Sequence, residues 1–336
     1  MIPADTSVPS VPVIIVDDRW QGEHGIGRFA TEIIKRLTGP WLPLTGDILP
    51  TSKSDIVNKH RLSLTRHDTV FTPGFNAGIS RARQIIVIHD LIHLRVKAEK
   101  SLSKTVFYNT VVRHAIRRAG VVLTVSETSA SAIAAWMKSP TVRVVVVGNG
   151  RSSSFLPVGV NTEFDRPTFI YVGNLKAHKN VQVVFDAIRL RPDFHLLVVT
   201  NDVARARAWV QHKYLHTQVT VRTAVSDDEL ASMYRGAAGV LLPSLLEGFG
   251  LPALEAMSCG TRVAFWAGCE SVSEICQGTG VAVESATDPA EWASALDALK
   301  RMSDQGPVTM ATAWEALYDW DTVAGKVQRV LDEVCS

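Results

Sequence analysis

Short aliphatic, β-branched runs recur along this chain, and between them apolar positions return every three or four residues. The runs are continuous rather than alternating. That predicts parallel strands covered on both faces, with the spacers as the covering helices. In the first half, strands are predicted at Val11–Val16, Gln84–Ile88, Gly120–Val125 and Val142–Val147. A glycine-rich turn at Gly22–Arg28 leads to a helix at Phe29–Leu37, and further helices fall at Val106–Ala119 and Glu127–Met137. Residues 38–80 carry no clear period and receive no element. Residues 148–167 hold three glycines, two asparagines, three serines and two prolines, the composition of a linker.

The pattern then restarts. Strands are predicted at Thr168–Val172, His195–Thr200, Val219–Arg222, Gly239–Pro243, Arg262–Phe265 and Gly280–Val283. Helices are predicted at Val181–Arg189 and Pro252–Met257, and another opens at Ser226-Asp-Asp-Glu229, a capping box. Asp288 caps a helix whose first residue is Pro289. Two successive βα halves of about 150 residues each predict an α/β chain of two Rossmann-like, doubly wound domains, 1–160 and 161–318.

A chain of 336 residues, 46% hydrophobic and 20% charged, has the composition of a globular protein. Its net charge of +2 is too balanced for a dedicated nucleic-acid binder, so no nucleic-acid partner is expected. The balance is uneven, however: residues 1–150 carry a net +8 and residues 151–336 a net −6. The basic half suits a phosphate or an anionic membrane surface. No apolar run reaches the roughly 18 residues of a spanning helix. The N-terminus lacks a basic region followed by an apolar one, so no signal peptide is expected. Cys259, Cys269, Cys276 and Cys335 form no C-x-x-C and read as the reduced thiols of a cytoplasmic protein.

Candidate chemistry gathers in two loops. In Glu247-Gly-Phe-Gly-Leu-Pro-Ala-Leu-Glu255, an apolar strand runs into a glycine-rich turn and then a helix. That is the carboxyl edge of a strand, where doubly wound sheets bind ligands. The amides of Phe249, Gly250 and Leu251 would sit at a helix N-terminus, a ready anion site. Glu247 falls on the loop and Glu255 about one turn into the helix, both able to face one cleft. Amides for a diphosphate and carboxylates for hydroxyls suit a nucleotide-sugar. A tight turn with a solvated Glu247 would use the same residues, but the combination favours a ligand. The second loop is Tyr171-Val-Gly-Asn-Leu-Lys-Ala-His-Lys179-Asn180, again at a strand end, with Lys179 placed to neutralise a diphosphate. Read alone, it is equally a solvated turn.

These segments resemble the retaining glycosyltransferases of family 4, which have the two-Rossmann GT-B fold with domains facing across a cleft. The likeness is strongest from about 168 to 285 and includes Leu242–Thr261 and Ser271-Val-Ser-Glu-Ile. It is looser at Gly25-Ile-Gly-Arg-Phe, Ile88-His-Asp-Leu and Val125-Ser-Glu. The His-Asp-Leu and Gly-Asn-Leu pair is similar to bacterial polysaccharide mannosyltransferases. The resemblance implies that Glu255 binds the nucleotide ribose, Glu247 contacts donor-sugar hydroxyls and Lys179 holds the departing diphosphate. It places His89 beside the transferred sugar and Gly27 near the phosphates, and it returns a final helix, about 320–336, to the first domain. The family commonly has Arg where this chain has Asn174, and Lys176 is the candidate substitute.

The expected activity is metal-independent, retaining transfer of a sugar, mannose from GDP-mannose, to a growing polyprenyl-linked bacterial surface glycan such as O-antigen. The nucleotide-sugar is substrate and no cofactor is expected. An epimerase or phosphorylase on the same fold, or a non-catalytic nucleotide-sugar-binding partner of another transferase, are the rival readings. Other features point less far. His89-Asp-Leu-Ile-His93 has zinc-pair spacing, but His89 ends a strand and Asp stands where metalloproteases need Glu. Asp319-Trp-Asp321 reads as a helix start with Asp321 as N-cap. The set Arg95, Lys97, Lys100, Lys104, Arg113, Arg117 and Arg118 reads either as a solvated face or as peripheral contact with the inner face of a membrane.

Overall fold

The computed structural model describes residues 14–20, 22, 25–44, 48–96 and 100–335. The described residues divide into two compact units: those from 14 to 94, 100 to 149 and 320 to 335 form one, and residues 95–96 and 150–319 the other. Each contains one six-stranded sheet, and every strand pair is parallel.

In the first unit the strands are β1 (Ile14–Val16), β2 (Trp41–Pro43), β3 (Thr69–Thr72), β4 (Arg83–Ile88), β5 (Val121–Thr124) and β6 (Arg143–Val146). Their order across the sheet is β2-β1-β3-β4-β5-β6. The direction of winding therefore reverses between β1 and β3. β4 is central, and Ile85, Ile86, Val87 and Ile88 are fully buried, which is why this run lacks alternation. Ile86 and Ile88 pack with Val112, Ile116 and Ile133 from the covering helices.

The second unit holds β7 (Thr168–Val172), β8 (His195–Val199), β9 (Val219–Arg222), β10 (Gly239–Leu242), β11 (Val263–Trp266) and β12 (Val281–Val283). The order is β12-β11-β10-β7-β8-β9, so the reversal lies between β7 and β10. Phe169, Tyr171, Leu196 and Leu241 build the core with Phe185, Trp292 and Leu296 from the helices. The two-sheet α/β architecture is the one the hydrophobic pattern predicts.

Several boundaries differ. A helix spans Gly25–Ile34, so Gly25 and Gly27 lie in its first turn rather than in a preceding loop. Burial of Phe29, Ala30 and Ile33 pulls the helix back over the glycines, and first-turn amides lack intrahelical partners in any case. Residues 38–80 contain β2, β3 and short helices at Lys53–Val57 and Lys59–Ser63, all too brief to show a period. The expected 106–119 helix runs from Leu102 and contains a π-helical segment, Tyr108–Val112. The helix Val203–His212 was not legible at all. Part of the first expected strand, residues 11–13, and part of the expected turn, residues 23–24, lie outside the described residues, as does Lys97.

Residues 150–167 are docked on the second unit rather than free. Arg235 donates to the carbonyls of Leu156 and Val160, and Phe155 is fully buried against Tyr234. The final helix, Trp320–Cys335, groups with the first unit. Its Trp320 ring meets Phe29 at 6.1 Å, and Asp321 pairs with Arg36 at 2.6 Å. Asp321 therefore lies inside the first helical turn and is not the expected N-cap. No helix among the described residues is long and apolar enough to cross a membrane.

Candidate active site

Ligands of doubly wound sheets bind beyond the carboxyl ends of the strands where the winding reverses. In the second unit that point lies between β7 and β10. The loop after β7 carries Lys179 and the loop after β10 carries Glu247.

The β7 loop is built to hold its shape. The Tyr171 hydroxyl donates to the Asn174 carbonyl at 2.6 Å, and the Leu175 amide donates to Asp202 at 2.7 Å. Arg205 donates to the Leu175 carbonyl at 3.0 Å. Asn174 Oδ1 accepts from the Lys176 amide at 3.2 Å, a local Asx turn that starts the one-turn helix Ala177–Lys179. Asn174 and Lys176 are exposed, whereas Lys179 is half-buried. The Leu245 amide donates to the His178 carbonyl at 2.7 Å, which staples the two loops together.

That staple brings the key pair into contact. Lys179 Nζ donates to Glu247 Oε1 at 2.6 Å. The same oxygen accepts from the Ser244 hydroxyl at 2.7 Å, and the Ser271 hydroxyl donates to the Glu247 carbonyl at 3.1 Å. Burial, followed by the negative charges of Glu247 and Asp202, pushes the Tyr171 hydroxyl well above its usual range. Burial and then Glu247 push the Cys269 thiol up to about 11, so this cysteine stays neutral.

Beyond Glu247, the helix Leu251–Ser258 begins one residue before the expected Pro252. Gly250 is its N-cap at φ +109°, and a Cβ there would meet Val272 at 3.0 Å, so glycine is required on both counts. Phe249 is buried, edge-on to Tyr318 at 5.9 Å, and anchors the turn. Leu251 is half-buried at the first helical position. Glu255 lies on this helix, nearly buried, with Oε2 3.4 Å from the Tyr234 hydroxyl. Burial and then Glu255 hold that fully buried phenol well above its usual range. Glu247 is thus joined to Lys179, whereas Glu255 is joined to Tyr234.

In the first unit, His89 follows β4. Its Nε2 lies 3.0 Å from the Pro73 carbonyl oxygen, and its ring stands edge-on to Phe29 at 5.0 Å. His93 packs on the Tyr108 ring at 4.3 Å, 4.0 Å from Asp90. Gly27 is buried in the first turn of its helix. At the reversal between β1 and β3 the chain fills its own crevice. The Arg19 guanidinium forks onto both oxygens of Asp17 at 2.7 Å and reaches Asp55 at 2.7 Å. Arg61 and Asn76 each bind Asp17 Oδ2 at 2.8 Å.

Sequence reading missed that network, and in the second unit it missed Asp202 and Tyr234 and gave no role to Ser244 and Ser271, which it met only as part of the likeness. Ser244 stands three residues before Glu247, the one local spacing that offered a signal.

Residues 159–309 match the family model for glycosyl transferases group 1. Over 260 residues the chain is 25% identical to the O-antigen chain mannosyltransferase RfbU of Salmonella typhimurium, covering 74% of this chain and 69% of that protein. It is 24% identical over 220 residues to O-antigen chain mannosyltransferase B of Escherichia coli, covering 60% of this chain and 57% of that one. Thus less than two thirds of the latter relative is spanned. Among solved structures, the Anabaena protein HepE in complex with UDP and glucose is similar at a TM-score of 0.68 and 16% identity, covering 96% and 99% of the two chains. That likeness is one of fold, and with the family match it bears out the resemblance read from the motifs.

Proposed function

From the match of residues 159–309 to the family model for glycosyl transferases group 1, we propose that this protein moves a sugar from a nucleotide-diphosphate donor to a glycan acceptor. The observation that carries the reading is the contact of Lys179 with Glu247 at the point where the second sheet reverses. A cation, a carboxylate and the N-terminus of helix Leu251–Ser258 lie beyond the carboxyl ends of two neighbouring strands, β7 and β10. Those are the groups that a diphosphate and a sugar need.

The donor diphosphate would lie against the amides of Gly250 and Leu251, where backbone N–H groups and the helix dipole favour negative charge. Lys179 would meet the charge that grows on the diphosphate as the glycosidic bond breaks, an electrostatic contribution to the transition state. Glu247 would accept hydroxyls of the donor sugar, and Glu255 those of the ribose. His89 is assigned to the transferred sugar and Gly27 to the phosphates within the same reading. The nucleotide-sugar is consumed as substrate, with no resident cofactor.

The finer reading is retaining, metal-independent transfer of mannose from GDP-mannose to a polyprenyl-linked glycan on the cytoplasmic face of a membrane. Mannose and O-antigen are supported by the names of the two bacterial relatives. A membrane site is supported by the helix Leu102–Phe107, where Leu102 is 82% and Val106 52% exposed beside exposed Lys100 and Lys104. The test is a panel of GDP- and UDP-sugars with a polyprenyl-linked oligosaccharide, followed by NMR of the product anomer. Transfer of mannose with retained configuration, undiminished by EDTA, is expected. Binding without turnover would return the protein to a non-catalytic partner, and the absence of both binding and hydrolysis would overturn the reading.

A further inference from the structure

Lys179 and Glu247 lie against one another, with side chains only 18% and 11% exposed. The two ends of this pair are held unequally. The Glu247 carboxylate also accepts from the Ser244 hydroxyl at 2.7 Å, and its main-chain carbonyl is held by the Ser271 hydroxyl at 3.1 Å. Ser271 is itself fully buried, so that end of the loop is anchored in the second unit. The Lys179 ammonium is a compact point charge on a flexible four-carbon stem, at the end of a one-turn helix. One partner is built to stay and the other to swing.

Resting on the donor-site reading above, we propose that donor binding exchanges this pair. The ammonium of Lys179 leaves Glu247 Oε1 for the diphosphate. Ser244 then holds the released carboxylate, and Ser271 the Glu247 main chain, in place for a donor-sugar hydroxyl. The exchange follows from charge: a carboxylate beside an arriving diphosphate competes with it for the same ammonium, and the more highly charged anion attracts it more strongly. A nucleotide lacking its sugar would take the lysine and leave Glu247 with no sugar hydroxyl. The complete donor uses both halves of the opened pair. Ser244 is accordingly a positioning residue, acting through Glu247.

Calorimetry with GDP and UDP, without sugar, tests the exchange on the whole protein. Glu247→Gln removes the competitor for Lys179 and should tighten diphosphate binding about three- to tenfold, the range in which single ion pairs are measured. It should at the same time slow transfer. Unchanged or weaker binding would mean that Glu247 merely positions Lys179, and would overturn the exchange. A crystal structure with the bound diphosphate reads it directly. Lys179 Nζ should lie beyond 4 Å from Glu247 and within hydrogen-bonding distance of a phosphate oxygen, with the Ser244–Glu247 bond intact. A lysine still seated on Glu247 would sink the proposal. Ser244→Ala should lower kcat while leaving GDP affinity undiminished, and Ser244→Thr should recover the rate. Equal losses of rate and affinity would reduce Ser244 to a structural role and overturn its part. Binding of neither GDP nor UDP by the wild-type protein would instead refute the donor-site reading itself.

Discussion

Single side chains in the second unit carry unequal burdens. Lys179 is the cation assigned to the proposed leaving group. Lys179→Ala should slow transfer by about 10²–10³, the scale for removing one charge-stabilising donor. The loss should fall on kcat more than on donor affinity, because the diphosphate charge develops as the bond breaks. Steady-state kinetics with saturating donor checks this, and a near-normal kcat would remove the lysine from the mechanism. Glu255 combines a proposed ribose role with a contact to Tyr234. Glu255→Ala should weaken nucleotide binding, because a ribose acceptor disappears. It should also destabilise the fold by about 1–3 kcal/mol, because the fully buried Tyr234 hydroxyl loses the carboxylate 3.4 Å away. Glu255→Gln keeps an acceptor for Tyr234 and should recover most of the stability. Denaturant unfolding together with nucleotide titration of both variants separates the two effects. Unchanged affinity in both would show the ribose assignment to be wrong.

Among the elements, the segment after β1 stands out for its buried charge. Asp17, Asp55, Arg19 and Arg61 form two acids and two bases, with Asn76 bridging Asp17 and Asp55. The Arg61 side chain is completely buried, and burial draws its guanidinium below the usual range against the pull of Asp17 and Asp55. Removing one member leaves an uncompensated buried charge, so Arg61→Ala should cost about 3–5 kcal/mol. Burial would raise the pKa of Asp55, but Arg19, Arg61 and Asn76 prevail and hold it below the usual carboxylate range. A depressed carboxylate contributes stability that is present above its unfolded value and is lost as the pH falls through the folded one. Chemical unfolding between pH 6 and 2.5 should therefore show a loss below about pH 4 that is smaller in Asp55→Asn. Identical slopes in the two proteins would exclude Asp55 as a source of the acid sensitivity.

Over the whole molecule the charge asymmetry is the feature with a consequence. Residues 1–150 carry a net +8 and the remainder a net −6. Each basic residue near an anionic bilayer is worth about 1 kcal/mol within a Debye length. The structure sorts the candidates. Arg113 lies over the Trp136 ring at 4.9 Å and donates to the Trp136 carbonyl, and Arg118 donates to the Arg81 carbonyl. Lys100, Lys104 and Arg117 are exposed, the first two near exposed Leu102 and Val106. Charge reversal at Lys100, Lys104 and Arg117 should release the protein from anionic vesicles, whereas neutral vesicles should bind neither form. Co-sedimentation insensitive to these reversals and to salt would refute membrane docking by this surface.

The sequence by itself determined the fold class, the order of most strands and the two loops that carry the candidate chemistry. Those properties are local. Continuous aliphatic runs such as Gln84–Ile88 report burial on both faces. The glycine and proline at 250 and 252 report a turn into a helix, and Ser226 caps Glu229's amide at 3.2 Å as its spacing predicts. Even there the second half of the box went elsewhere, because Arg222 on β9 offers the Glu229 carboxylate a charge at 2.5 Å. Only the tertiary structure decided which distant groups meet. Lys179 and Glu247 are 68 positions apart and touch because β7 and β10 are neighbours in the sheet and Leu245 bonds His178. Asp17 and Arg61, 44 positions apart, meet because the segment between β2 and β3 folds back over the end of β1. Periodicity records which side of an element is buried, but not which charged partner another element brings to it, and that partner sets what each charge can do.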